Sequence, residues 1–201
     1  MHKNILSPSQ VKTLPLLKEF SGKFGLVGGT AIALQLGHRR SNDFDLFSPV
    51  AFKNSGIMAI VKKYGIPRVY VDDINEITLA LFDVKMTFYH YSFPVNYSVN
   101  FDSVAKMPDL STLAAMKAFA LGRRAKWKDY VDLYFLLQKL GFEAIVGKAK
   151  ETYAHEFSEK MFREQLSYFD DINYSEKVDF MPGFEIPDEK IKEKLVDFAT
   201  I

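Results

Sequence analysis

The glycine pair Gly28-Gly29 follows the short apolar run Phe24 to Val27 and opens the apolar segment Thr30 to Leu36, which Gly37 ends. A basic loop then leads into Asp43-Phe44-Asp45-Leu46-Phe47. That order prescribes a strand, a tight glycine entry, a helix of about two turns and a second strand, and its composition is hard to explain by folding alone. Glycines let an anion approach the backbone with no Cβ in the way, and the N–H groups at a helix start are unpaired and carry partial positive charge. In an extended segment alternate side chains share a face, so Asp43 and Asp45 project together while Phe44 and Leu46 point into the core. Two carboxylates held that close disfavour joint ionisation. One or two Mg²⁺ ions, hard cations that take oxygen ligands, satisfy both.

Around this stretch, hydrophobic periodicity assigns the remaining elements. Ser7-Pro8 reads as an N-cap with proline at the first helical position. Val11, Leu14, Leu17 and Phe20 continue the helix to Ser21-Gly22, with Pro15 expected to bend it or divide it in two. A helix is expected over 51–64, ended by Gly65-Ile66-Pro67. From Arg68 to Tyr97 the period shortens to two. Strands are expected over 68–72, 76–82 and 85–93, forming a small, mainly antiparallel sheet with the first two and ending at Pro94. Beyond Pro108 the pattern is helical, with helices around Leu110 to Leu121, Tyr130 to Leu140, 142–155, 158–169 and 188–199, and a loop over Asp170 to Pro187. The fold class is α+β, an N-terminal lobe over 1–107 with a small mixed sheet flanked by helices, and an all-helical C-terminal lobe over 108–201.

Charge and cysteine usage narrow the function. A formal charge of +1 with 25% charged residues confines nucleic-acid contact to a local patch. With no cysteine there are neither disulfides nor thiolate metal sites, which suits a reducing cytoplasm. No apolar run reaches the roughly 18 to 20 residues of a membrane span, and Ser7, Pro8, Lys12 and Pro15 interrupt any signal-peptide core. A cytoplasmic protein with no membrane partner is expected.

Gly28-Gly29-Thr30, followed by His38-Arg39-Arg40-Ser41-Asn42-Asp43-Phe44-Asp45, resembles the signature of the nucleotidyltransferase superfamily. More narrowly it is similar to the AbiEii/AbiGii family of abortive-infection toxins. A second block, Lys117 to Leu137, resembles that family's lysine helix, basic loop and Asp-x-x-Asp-Leu-Tyr helix, here Asp129-Tyr130-Val131-Asp132-Leu133-Tyr134. Tyr168-Phe169-Asp170-Asp171 resembles a C-terminal element less specifically. The resemblance implies a nucleotidyltransferase-like N-terminal lobe whose Gly28, Gly29 and Thr30 hold nucleotide phosphates, with Arg40 and Ser41 beside them, and whose Asp43 and Asp45 bind catalytic Mg²⁺. It implies that Lys117 contacts the triphosphate, helped by Arg40 or Arg124, and that Asp129 or Asp132 completes the site. The implied reaction is transfer of NMP from an NTP to an acceptor hydroxyl, with RNA such as tRNA as acceptor, by a toxin of a toxin–antitoxin or phage-defence pair whose partner is an antitoxin. A catalytically impaired nucleotide- or RNA-binding member of the same fold is the alternative.

Lys117, Arg124 and Lys128 lie seven and eleven residues apart, which returns them to nearly one face if the helix continues. Lys128 and Asp132 equally make a plain i,i+4 pair. Trp127 reads as a base-stacking residue or as a helix-junction anchor. His38 adjoins the site, and Tyr89, Tyr91 and Phe93 read as a sheet face. One departure from the superfamily stands at Thr87, where members place a third carboxylate, and a hydroxyl does not deprotonate a nucleophile as a carboxylate does. Asp83 shares strand parity with Thr87 but lies roughly 13 Å along the strand.

Overall fold

A computed structural model describes residues 1–121 and 123–200; Gly122, part of the Lys117 to Leu137 block, and Ile201 lie outside the described residues. The chain divides into two compact units, one of Met1–Gly37 with Ser41–Asp109 and one of His38–Arg40 with Leu110–Ile201. The three residues His38–Arg40 therefore leave the glycine-to-aspartate stretch and join the helical unit.

The first unit begins with α1 (Pro8–Lys18). Ser7 and Gln10 close it with a reciprocal capping box. Pro15 sits inside α1 without dividing it, which excludes the second of the two expectations; the proline forfeits one backbone bond, and the buried Leu16 and Leu17 keep that turn against the core. β1 (Gly25–Val27) runs into α2 (Gly28–Leu36), which starts at the glycine pair itself and ends at Gly37 in the left-handed region. β2 (Phe44–Ser48) and α3 (Asn54–Val61) follow, then β3 (Arg68–Asp73), β4 (Glu76–Leu81) and β5 (Val84–His90). Two further short strands, β6 (Val99–Phe101) and β7 (Ala105–Met107), lie beyond Pro94 and correct the expectation that the sheet ends there. Each is three residues long, too short for a two-residue period to stand out.

The sheet is mixed, in the order β3-β4-β5-β2-β1-β7-β6. β2 is central, antiparallel to β1 and parallel to β5, so Asp45 lies opposite Val27 on one side and Thr87 on the other. Phe44 and Leu46 are buried on the face that receives Phe20 and Phe24 around Phe88, with ring centroids 4.7 and 5.3 Å apart. Asp45 and Phe47 alternate onto the opposite, half-buried face. Asp83 sits with Phe82 at positive φ in the tight β4–β5 turn and is not a strand residue.

The helical unit contains α4 (Leu110–Leu121), α5 (Trp127–Leu140), α6 (Phe142–Tyr153), α7 (Glu159–Ser167) and α8 (Asp188–Thr200). α4 packs on α5 and α6, and α8 on α5 and α7. The loop over 170–187 ties the unit together by backbone bonds, Asn173 to Ala125 and Trp127, Met181 to His38, and Asp179 to Arg40. Among the described residues no helix is long and apolar enough to cross a membrane.

Candidate active site

In the sheet unit, Gly28 is the tightest point. Its φ is +70°, and a Cβ there would lie 2.2 Å from Asp45 Oδ2. Only glycine admits both the backbone conformation and the approach of the Asp45 carboxylate to the start of α2. Gly29 follows, half-buried, in a first turn that has no side-chain cap. Thr30 is buried, and its hydroxyl donates to the backbone carbonyls of Asp43 and, at 3.4 Å, of Ser41. The buried Gln10 also donates to the Ser41 carbonyl, at 2.7 Å. Thr30 and Gln10 thus fix the loop that delivers Asp43. Thr30→Val is expected to cost about 1–3 kcal/mol, the penalty for leaving a buried carbonyl without its donor, read as a lower urea midpoint at unchanged slope.

Asp43 pairs with Lys85 on β5, Nζ to Oδ2 3.2 Å, with both groups partly exposed. Lys85 carries no local signal of that role in the sequence, although it shares strand parity with Thr87. On the same face Tyr89, Phe47, Tyr91 and Phe93, in that order, form a half-buried row whose successive rings lie 5.0 to 5.4 Å apart.

Asp45 on the central strand β2 and Asp43 just before it, with a glycine cradle that a Cβ would fill, fit Mg²⁺, which is held by one or two carboxylates and completes its shell with water and substrate phosphate. Among the described residues no group of three or more acidic or histidine side chains is placed to hold a metal alone.

The helical unit carries a separate buried charge cluster. Arg39 makes a bidentate pair with Asp132, Nε–Oδ1 and Nη2–Oδ2 both 2.7 Å. Lys117 Nζ lies 3.0 Å from Asp132 Oδ2 and 2.7 Å from Asp129 Oδ1, and Arg124 Nε lies 3.0 Å from Asp129 Oδ2. Burial alone would push both carboxyls up. Arg39 and Lys117 outweigh it and hold Asp132 well below the usual carboxylate range, and Lys117 and Arg124 lower Asp129 likewise. His38 is buried, with Nε2 2.8 Å from Asp132 Oδ1 and no hydrogen-bond partner for Nδ1 among the described residues. Burial pushes the imidazole below its ordinary value against the pull of Asp132, so the ring is neutral at pH 7 and Nε2 carries the proton it donates.

The structure thus brings Gly28, Gly29, Thr30, Ser41, Asp43 and Asp45 together in one unit, and Lys117, Arg124, Asp129 and Asp132 together in the other. Arg40 lies in the helical unit, 40% exposed, with Nε 3.4 Å from Asp179. The expected continuous cationic stripe is corrected. α4 ends at Leu121 and α5 starts at Trp127, so Lys117 and Arg124 converge on Asp129 while Lys128 pairs with Glu176 and not with Asp132. His38 lies in the buried cluster. Trp127 is a buried junction anchor whose Nε1 donates to Asp188. Arg39 escapes a reading of the sequence because its neighbour Arg40 has the same side chain, and nothing local says which is buried.

No protein-family model matches the chain. It is 30% identical over 182 residues, 87% of each chain, to the uncharacterized protein aq_aa25 of Aquifex aeolicus. Among solved structures it is similar to MenT4, the nucleotidyltransferase toxin Rv2826c of Mycobacterium tuberculosis (TM-score 0.54, 12% identity, 96% of this chain and 82% of that one). It is similar also to JHP933 of Helicobacter pylori (0.54, 17%, 97% and 92%). A third likeness is to the antibiotic-resistance factor ANT(2'')-Ia (0.55, 16%, 73% and 92%), which has also been solved with adenylyl-2''-tobramycin. The chain has the nucleotidyltransferase fold.

Proposed function

We propose that this chain, which belongs to the same family as the Aquifex aeolicus protein aq_aa25, transfers a nucleoside monophosphate from an NTP to an acceptor hydroxyl. The observation that carries the proposal is the Asp45 carboxylate set against Gly28 at the start of α2, with Asp43 two residues before it. Asp43 and Asp45 are the residues that would hold Mg²⁺, and bound Mg²⁺ would neutralise phosphate charge and orient the α-phosphate. Gly28 and Gly29 give phosphate oxygens access to backbone N–H groups, and Thr30 keeps Asp43 in register with Asp45. The resemblance assigns Lys117, Arg124 and Arg40 to triphosphate charge; within the helical unit Lys117 is buried between Asp129 and Asp132, and Arg124 is half-exposed. The finer assignment follows the resemblance to AbiEii/AbiGii toxins: a cytoplasmic toxin component with an RNA acceptor and an antitoxin partner.

Labelled NTP, Mg²⁺ and total RNA test the reading. Wild-type chain is expected to label the acceptor, and Asp43→Ala with Asp45→Ala to abolish labelling; labelling that survives the double variant contradicts it. Thr87 opposite Asp45 favours one second reading, a nucleotide-binding member without turnover, for which NTP stabilises the fold and no acceptor is labelled.

A further inference from the structure

Thr87 occupies the position beside Asp45 where a third carboxylate would stand, and it is the first member of a hydrogen-bonded row. Its Oγ1 lies 3.3 Å from Thr78 Oγ1 across the β4–β5 ladder, and Thr78 Oγ1 donates to Glu76 Oε1 at 2.7 Å. A hydroxyl has one proton and an ionised carboxylate has none to give. Thr78 Oγ1 has one proton for the two contacts; placed on the shorter one, to Glu76, it leaves the 3.3 Å contact to the Thr87 proton, and the row then runs from Thr87 through Thr78 to Glu76. Thr87 Oγ1 keeps its lone pairs on the half-buried face that Asp45 shares.

We propose that Glu76 supplies the missing third carboxylate at a distance, accepting the acceptor's proton through Thr87 and Thr78. The inference rests on the nucleotidyl-transfer reading. As the acceptor oxygen bonds to the α-phosphorus, its proton passes to Thr87 Oγ1, the Thr87 proton passes to Thr78 and the Thr78 proton to Glu76. The α–β phosphate bond breaks and pyrophosphate leaves with the electron pair. Both threonines end neutral and Glu76 ends protonated. Thr87 alone meets the substrate; Thr78 and Glu76 are positioning residues that act through it. The titratable groups on the strands beside Glu76 are Tyr89 across β5 and Asp73 across β3, with Asp72 joined to the Glu76 backbone carbonyl through Asn54. Lys85 lies further along β5, paired with Asp43.

The test is the rate of label transfer from α-labelled ATP, CTP, GTP and UTP to total RNA, with Mg²⁺, across pH 5 to 9. Glu76→Gln is expected to lower kcat about 10²-fold, with KM for the NTP and the melting temperature unchanged, and to remove the loss of rate on the acid side. Adding Thr87→Asp to Glu76→Gln places a carboxylate directly beside Asp45 and is expected to recover about tenfold or more of that rate. Equal kcat and an equal acid limb in wild type and Glu76→Gln overturn the relay alone. A Glu76→Gln rate loss that tracks a lower melting temperature, with the acid limb intact, makes the row a sheet contact and also overturns it. Wild-type chain that labels no acceptor overturns the relay together with the transfer reading.

Discussion

Asp132→Ala is expected to destabilise the chain by about 3–5 kcal/mol, enough to unfold much of it at 37 °C. Asp132 is fully buried and receives Arg39 in two parallel bonds, Lys117 at 3.0 Å and His38 at 2.8 Å. Removing it leaves two buried cations and a buried imidazole without their shared acceptor, and that desolvation penalty sets the size of the effect. The same cluster makes the fold acid-labile. Asp129 and Asp132 titrate below their ordinary 3.8 when folded, so their stabilisation is complete above that value and disappears as pH falls through the folded values. His38 titrates below 6.5 when folded, so the unfolded chain takes up its proton first and stability begins to fall as pH drops past 6.5. Urea midpoints between pH 7 and 2 are expected to decline in two stages, the first below 6.5 from His38 and the second below 3.8 from Asp129 and Asp132, and His38→Phe is expected to remove the earlier one.

Gly28→Ala is expected to lower transfer by about 10²-fold or more, because displacing a reacting group by about 1 Å costs that much. The new Cβ would lie 2.2 Å from Asp45 Oδ2, so the carboxylate or the start of α2 has to move, and alanine at a φ of +70° adds roughly 1–2 kcal/mol of strain. Gly56 is the control. It lies within α3, and a Cβ added there would meet no atom within 4 Å, so Gly56→Ala is expected to stabilise by about 0.5–1 kcal/mol and leave transfer unchanged. Equal activity of Gly28→Ala and Gly56→Ala would contradict a working role for the Gly28–Asp45 contact.

The strand, glycine, helix and strand from Phe24 to Phe47 are legible in sequence because each carries a local signal: an apolar run, a glycine pair, a glycine stop and a period of two. The same alternation puts Asp45 on the open face and Phe44 and Leu46 in the core. What is not legible is non-local. The resemblance implies that Thr30 holds phosphate, and the bonds of its hydroxyl to the Asp43 and Ser41 carbonyls are not legible, because the helix start and the loop come together only when β1 and β2 pair. Lys117, Asp129 and Asp132 are recognisable as chemistry-bearing residues, but their mutual neutralisation needs Arg39 and His38, more than ninety positions from Asp132 in sequence. β6 and β7 escape because three residues carry no period. Glu76 escapes because its link to Thr87 runs across a hairpin register that is fixed by the Phe82–Asp83 turn.

Nucleotidyl transfer through Asp43 and Asp45 is tested most directly with position-labelled NTP. Wild-type chain, Mg²⁺ and total RNA are expected to give acceptor labelled from the α-phosphate and not from the γ-phosphate, with pyrophosphate released in equal amount and no labelling by Asp45→Ala. Label arriving from the γ-phosphate, or α-label arriving equally with Asp45→Ala, would contradict it.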